Sequence, residues 1–90
     1  MIARQYFFVG RVQGVGFRYA TKQLAKGFDL LGWVRNCEDG RVELQVMGEE
    51  DELDAFIEEI HDSPLGRHIQ ERTERPVPPL EGVSGFTIRE

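Results

Sequence analysis

The sequence predicts a small α+β domain in which strands and helices follow the order strand, helix, strand, strand, helix, strand, with a short strand added at the end. Two observations lead to this fold class. Apolar residues recur at helical spacing in two segments, and the segments around them carry short apolar or alternating runs that are typical of strands. At 90 residues the chain is expected to form one domain, residues 1–90, with one core.

The first strand and the first helix flank a glycine-rich loop. Residues 4–12 contain the apolar run Tyr6–Val9 and predict a strand, although so continuous a run does not indicate which face is buried. Residues 19–26 predict a helix that ends at a left-handed residue, Gly27 or Asp29. The inner face of this helix is predicted at Phe17, Ala20, Leu24 and Phe28.

The middle of the chain predicts a β-hairpin. Residues 32–36 begin the second strand, and Asp39-Gly40 is a strong turn signal because both residue types accept positive φ. In the third strand, apolar residues alternate with polar ones, which predicts one buried face. The apolar positions of that strand are Val42, Leu44 and Val46.

The second half predicts a helix and two weaker strands. The helix opens on acidic residues 49–52, and its apolar stripe falls at i, i+3, i+4 and i+7. Residues 68–75 predict an edge strand, and residues 85–89 a short final strand. This order predicts a ferredoxin-like α/β sandwich, βαββαβ plus a terminal strand, with an antiparallel sheet and both helices on one face. The stripe consists of Leu53, Phe56, Ile57 and Ile60.

Composition excludes several classes of function. The net charge of −5 argues against a general nucleic-acid binder, although the first 48 residues are basic on balance, with seven Lys and Arg against four Asp and Glu. An RNA-binding module of this fold would carry aromatic residues on its third strand, and residues 41–46 contain none. No segment is long enough to cross a membrane. The single Cys37 excludes an internal disulfide, so we expect a cytoplasmic protein.

The segment Gly10–Arg18 indicates a phosphate site. Gly10, Gly14 and Gly16 allow the backbone to curl, and a curled loop that leads into a helix directs several N–H groups towards one point. Arg18 would stand on the first helical turn, where its guanidinium can bind two oxygens of a phosphate. The spacing fits neither a Walker loop nor a dinucleotide fingerprint, because Tyr19 stands where the latter needs glycine.

Together, Gly10–Arg18 and Gly32–Asn36 followed by Asp39-Gly40 resemble the acylphosphatase family, and the resemblance extends over nearly the whole chain. It implies hydrolysis of a carboxylic–phosphoric anhydride, with Arg18 binding phosphate and Asn36 positioning the attacking water. Asp29 departs from the family, which often has glycine there. The backbone implied as the phosphate cradle comprises Gln13, Gly14, Val15, Gly16, Phe17 and Arg18.

The chemistry of an acyl phosphate agrees with these roles. Its carboxylate leaves without protonation, so the protein must hold the phosphoryl group, spread its charge and place a water in line. The Asn36 amide can orient water but is too weak a base to deprotonate it, so the proton is expected to pass to a phosphate oxygen. We expect a monomer whose partner is a small-molecule acyl phosphate, without cofactor or metal.

Two alternative classes of function remain at this point: an RNA-binding module, which the lack of aromatic residues on the third strand disfavours, and a domain that binds phosphate without catalysis. Other candidate residues are disfavoured. Cys37 could be a nucleophile, but it needs an activating base, and neither His61 nor His68 is expected near it. These two histidines also lack the spacing of a metal site. A domain that binds phosphate without catalysis, as occurs in fusions with larger maturation enzymes, would retain the cradle but would not need Asn36.

Overall fold

The computed structural model describes residues 1–90 and confirms the predicted order of elements, with boundaries that differ from the prediction by one or two residues. Neither α-helix has the length and the apolar composition that crossing a bilayer requires. The elements are β1 (Ile2–Gly10), α1 (Phe17–Ala25), β2 (Leu30–Asn36), β3 (Val42–Gly48), α2 (Glu50–Asp62), a 3-10 helix (Pro64–His68), β4 (Ile69–Val77) and β5 (Phe86–Arg89).

The five strands form one sheet in the order β4-β1-β3-β2-β5. The first four pair antiparallel, but β5 runs parallel to β2, so the prediction of an antiparallel sheet is wrong for the last strand. The path of the chain from β4 explains the direction of β5. Val77 at the end of β4 pairs with Ala3, at the end of the sheet where Leu30 begins β2. A strand that starts from this end at the free edge of β2 must run in the same direction as β2.

The core lies between the sheet and the two helices, which pack on the same sheet face and against each other. Alternation resolves the ambiguous run in β1, because Tyr6 and Phe8 are buried in the core while Phe7 points to the other face. The α2 stripe Leu53, Phe56, Ile57 and Ile60 is buried as predicted. The architecture is the predicted ferredoxin-like α+β fold.

The inner face of α1 is rotated from its predicted position. The buried residues are Phe17, Thr21 and Ala25, whereas Ala20 and Leu24 only flank the core. Sequence periodicity missed Thr21 because it is polar, and its hydroxyl oxygen has no hydrogen-bond partner. The predicted left-handed end at Gly27 or Asp29 is also wrong, since neither residue has a positive φ.

The β2–β3 hairpin is present, with a loop of residues 37–41. Only Gly40 takes a positive φ, 95°, so the expectation for Asp39 fails. Asp39 instead accepts hydrogen bonds from the backbone N–H of Arg41 at 3.2 Å and from its Nε at 2.8 Å. The loop is closed by Cys37 N–H donating to the Arg41 carbonyl oxygen at 2.8 Å.

The sheet face opposite the helices carries a buried carboxylate that alternation did not predict. Glu43 on β3 is 4% exposed and accepts hydrogen bonds from Gln5 at 2.6 Å, Gln45 at 2.9 Å and Arg35 at 2.7 Å. Burial opposes its ionisation, but the three hydrogen bonds outweigh burial and hold the pKa of Glu43 below its usual value. This network joins strands β1, β3 and β2 on that face.

Candidate active site

The loop between β1 and α1 turns sharply at three glycines. The φ angles of Gly10, Gly14 and Gly16 are 138°, 78° and 77°. A Cβ at Gly14 or Gly16 would meet nothing within 4 Å, so these positions favour glycine because of their backbone conformation and not for lack of space. At Gly10, space matters too, because a Cβ would lie 2.3 Å from the His68 carbonyl oxygen.

Backbone N–H groups that can donate hydrogen bonds are available along this loop. No backbone N–H of residues 13–16 donates a hydrogen bond within the chain, and the first bond of α1 runs from Ala20 N–H to the Gly16 carbonyl oxygen at 3.0 Å. The N–H groups of residues 17–19 precede that bond and have no acceptor inside the helix. A row of free N–H groups at a helix N-terminus favours an anion, since the helix dipole adds to their partial charges.

An open cavity of about 250 Å³ lies beside the loop and brings Arg18 and Asn36 together. Of the predicted cradle residues, Gly14, Gly16, Phe17 and Arg18 line it, whereas Gln13 and Val15 do not. The remaining lining residues are Val12, Tyr19, Ile88 and Glu90.

Asn36 reaches the cavity from the last position of β2. Strands β1 and β2 run in the same direction, because both are antiparallel to β3. Their C-terminal ends therefore lie at the same end of the sheet, where α1 begins. The two strands are not neighbours in the sheet, because β3 lies between them. The side chain of Asn36 makes no hydrogen bond to any protein group, so its amide can bind a ligand or a water.

Arg18 is the arginine best placed to hold an anion. Arg35 and Arg41, which could have added to the local positive field, are engaged elsewhere, with Glu43 at 2.7 Å and Asp39 at 2.8 Å. Arg18 has no carboxylate partner, and its one contact is a long hydrogen bond of 3.4 Å from Nη1 to the Arg89 carbonyl oxygen. Its guanidinium is therefore held at the cavity with most of its donors free.

The Gln13 side chain has a role that the sequence did not indicate. Its Nε2 donates to the carbonyl oxygens of Cys37 at 2.7 Å and Arg41 at 3.0 Å. These two residues close the β2–β3 loop, and Cys37 directly follows Asn36. Gln13 thus joins the glycine loop to the strand end that carries Asn36.

Cys37 and the histidines lie away from the cavity. The Cys37 side chain lines a depression on the opposite sheet face, and burial raises the pKa of its thiol, which disfavours the nucleophilic thiolate. His61 packs edge-on against Phe8 and lies 3.3 Å from Arg72. No group of three or more His, Cys, Asp or Glu residues is placed to hold a metal ion.

Four residues of the cavity were not predicted as site residues: Val12, Tyr19, Ile88 and Glu90. Ile88 and Glu90 come from β5 and the residue after it, and only the parallel pairing of β5 with β2 places them there. Tyr19 follows Arg18 on α1 and is 65% exposed. An aromatic residue directly after Arg18, at the end of the glycine-rich loop, is the one signal in the sequence that could identify Tyr19.

Comparisons with family models, curated proteins and solved structures all match this chain to acylphosphatases. The acylphosphatase family model matches residues 4–88. An acylphosphatase of Pseudomonas aeruginosa is 47% identical over 81 residues, covering 89% of this chain and 87% of that protein. The crystal structure of acylphosphatase from Bacillus subtilis is 37% identical, with a TM-score of 0.88 and full coverage of both chains. Full-length HypF also matches, at 34% identity and a TM-score of 0.84, over 99% of this chain but 12% of HypF. The chain belongs to the acylphosphatase family.

Proposed function

We propose that this chain hydrolyses acyl phosphates by direct attack of a water on a phosphoryl group held at the Gly14–Arg18 end of the loop. The observation that carries the proposal is the single cavity shared by Arg18, which has no carboxylate partner, and Asn36, whose amide has no protein partner. The free N–H groups of the loop add donors that suit the equatorial oxygens of a phosphoryl group.

The reaction balances without any further reactant. The oxygen of water forms a new bond to phosphorus as the bond between phosphorus and the acyl oxygen breaks, and the carboxylate leaves with that electron pair. An acyl phosphate dianion and water thus give a carboxylate and dihydrogen phosphate. Both protons of the water finish on the released phosphate, so no side chain needs to retain one.

Asn36 is suited to hold the water in line. Its carbonyl oxygen accepts a hydrogen bond from the water, and its NH₂ donates to the water or to a phosphate oxygen. An amide is uncharged and does not repel an anionic substrate, whereas a carboxylate in this position would. Positioning of the water and stabilisation of developing charge therefore account for catalysis in this proposal.

Arg18 and the loop hold the phosphoryl group during attack. A planar guanidinium can donate two parallel hydrogen bonds to two phosphate oxygens, which fixes orientation as well as charge. The long contact to the Arg89 carbonyl leaves the fork free to rotate onto the ligand. Transition-state charge spreads over three oxygens, so donors from several directions are required.

Hydrolysis of acetyl phosphate in water enriched in ¹⁸O tests the proposal. Attack on phosphorus places the label in inorganic phosphate, and attack on the carbonyl carbon would place it in acetate. We expect the label in phosphate, with release abolished or strongly reduced in Asn36→Ala. Binding of inorganic phosphate without any release from acetyl phosphate would instead identify a phosphate-binding domain without catalysis.

A further inference from the structure

An apolar groove lies between α1 and residues 63–65 at the start of the 3-10 helix, next to the cavity, and we propose that it binds the acyl group of the substrate. This inference rests on the proposed function, and it assigns a substrate class: acyl phosphates with an uncharged aromatic or aliphatic acyl group. The acyl groove has a volume of about 410 Å³. Its lining residues are Val15, Tyr19, Ala20, Gln23, Leu24, Ser63, Pro64 and Leu65.

The groove is continuous with the phosphate site. Tyr19 lines both the cavity and the groove, and Val15 lines the groove from between Gly14 and Gly16, which line the cavity. Successive helix residues are rotated by about 100°, so Arg18, Tyr19 and Ala20 carry the surface of α1 from the cavity into the groove. A phosphoryl group held at Arg18 can therefore extend its acyl substituent across Tyr19.

The position of the groove relative to Asn36 also suits in-line displacement of the leaving group. Asn36 lines the cavity but not the groove, so the groove leaves the cavity at a part of its wall away from the residue that would hold the water. In an in-line reaction the leaving group departs opposite to the attacking water. A leaving carboxylate that points away from Asn36 would place its organic substituent towards the groove.

The residues that line the groove determine which kind of chemical group can bind there. None of its residues carries a charge, in a chain that is 30% charged. The Ser63 hydroxyl is already used, donating to the Ile60 carbonyl at 2.6 Å and accepting from Leu65 N–H at 3.2 Å. An ionised group placed here would lose hydration without gaining a partner, whereas an apolar group gains from leaving water.

The space is sufficient for such a group. A cavity of about 150 Å³ already accommodates benzene. The exposed Tyr19 ring offers an aromatic face, and Leu24 and Leu65 provide aliphatic surface at the base of the groove. A benzoyl group fits this description, whereas an acetyl group is too short to use most of the groove.

The test compares benzoyl phosphate, acetyl phosphate and succinyl phosphate, which carries a second carboxylate. We expect Tyr19→Ala to raise KM for benzoyl phosphate about tenfold, the effect of a modest loss of apolar contact. Gln23→Leu should lower that KM and Gln23→Glu should raise it. Gln23 is exposed, so neither change threatens the fold. Acetyl phosphate KM should stay within about twofold in both Gln23 variants, which lie outside the cavity.

The matched control is Gln70→Glu, the same chemical change at an exposed position of β4 outside the cavity and the groove. Inhibition by (2-oxo-2-phenylethyl)phosphonate, in which a methylene replaces the bridging oxygen, measures acyl binding independently of turnover. Equal effects on benzoyl and acetyl compounds, or a preference of the parent for succinyl phosphate, would overturn the groove assignment. Absence of any hydrolysis by the parent would refute the proposed function instead, while the phosphonate would still report on the groove.

Discussion

The side-chain nitrogen of Gln13 lies 2.7 Å from the carbonyl oxygen of Cys37 and 3.0 Å from that of Arg41. One amide thus links the glycine loop, which carries the free N–H groups, to the hairpin end that carries Asn36. The two halves of the proposed site come from segments separated by β3 in the sheet. Their relative position therefore depends on a contact of this kind.

We predict that Gln13→Ala lowers kcat more than it weakens inhibition by inorganic phosphate. The loop keeps its own N–H groups, but Asn36 loses its fixed distance from them, and a misplacement of about 1 Å can cost about 10²-fold in rate. Steady-state kinetics with phosphate as inhibitor separate the two effects. Gln13→Glu keeps the size but cannot donate to the carbonyls, so it should be no better than alanine. A variant with normal kcat and only reduced thermal stability would show that Gln13 is merely structural.

Arg18→Lys should weaken both turnover and inhibition by phosphate while the fold survives. Lysine retains the charge but loses the paired donors of the guanidinium. A hydrogen bond to a charged group contributes about 1.5–3 kcal/mol, so a loss of roughly 10–100-fold in kcat/KM is expected. Arg11→Lys is the matched control, because Arg11 is exposed and lies outside the cavity. Unchanged phosphate inhibition in Arg18→Lys would remove the assigned role.

Activity should be independent of metal ions. Arg18 and the free loop N–H groups supply positive charge beside the cavity, so the proposed mechanism needs no Lewis acid. Dialysis against a strong chelator should leave the rate of acetyl phosphate hydrolysis unchanged. A loss of activity that magnesium restores would require a different mode of phosphoryl transfer.

Stability should fall in acid because of Glu43. Its pKa is lowered in the folded state, so the unfolded chain binds the proton more readily. The stabilisation is therefore present above the unfolded value of about 4.3 and is lost as pH falls through the lower folded value. Urea unfolding between pH 7 and pH 3 measures this loss. Glu43→Gln should be less stable than the parent at pH 7 and less dependent on pH below about 5.

The control for Glu43 is Glu59→Gln, an exposed carboxyl on α2 that makes no ion pair. It should leave the pH dependence of the free energy of unfolding close to that of the parent. If Glu43→Gln shows the same acid loss as the parent, the hydrogen bonds from Gln5, Gln45 and Arg35 do not stabilise its ionised form.

Local signals predicted most of the fold. Periodicity identified α2, alternation identified β3, and the glycines indicated the sharp turn of the loop between β1 and α1. The parallel pairing of β5 could not be predicted in this way, because it depends on the sheet end at which the chain leaves β4. The burial of Glu43 could not be predicted either, for a related reason. A charged residue on an alternating strand suggests exposure, and only its partners on two other strands make burial possible.

The sequence indicates which residues to expect in the candidate site but not how the fold assembles them. The glycine-rich loop indicates Arg18 and the family resemblance implies Asn36, and the structure brings both to one cavity. The hydrogen bonds from Gln13 to the β2–β3 loop depend on long-range contacts. The same is true of the positions of Ile88 and Glu90 in the wall of the cavity. No spacing along the chain encodes these contacts, since residues 37 and 88 are distant from the loop in sequence.

The sharpest prediction concerns Asn36. Asn36→Ala should lower kcat by about 10²–10³, the usual cost of one well-placed polar contact in a transition state, while phosphate inhibition stays near the parent value. The loop N–H groups and Arg18 are untouched by this change, which is why binding should persist. Cys37→Ala is the neighbouring control, because its side chain lies on the opposite sheet face, and it should retain activity.

Asn36→Asp distinguishes positioning of the water from deprotonation. A carboxylate is a stronger base than an amide and has nearly the same shape, but it places negative charge beside an anionic phosphoryl group. At neutral pH we expect repulsion to dominate, so that kcat stays low and inhibition by phosphate also weakens. Circular dichroism would verify that each variant is folded. Turnover equal to or above that of the parent would mean that a general base accelerates the reaction, and the water-positioning role of the Asn36 amide would have to be abandoned.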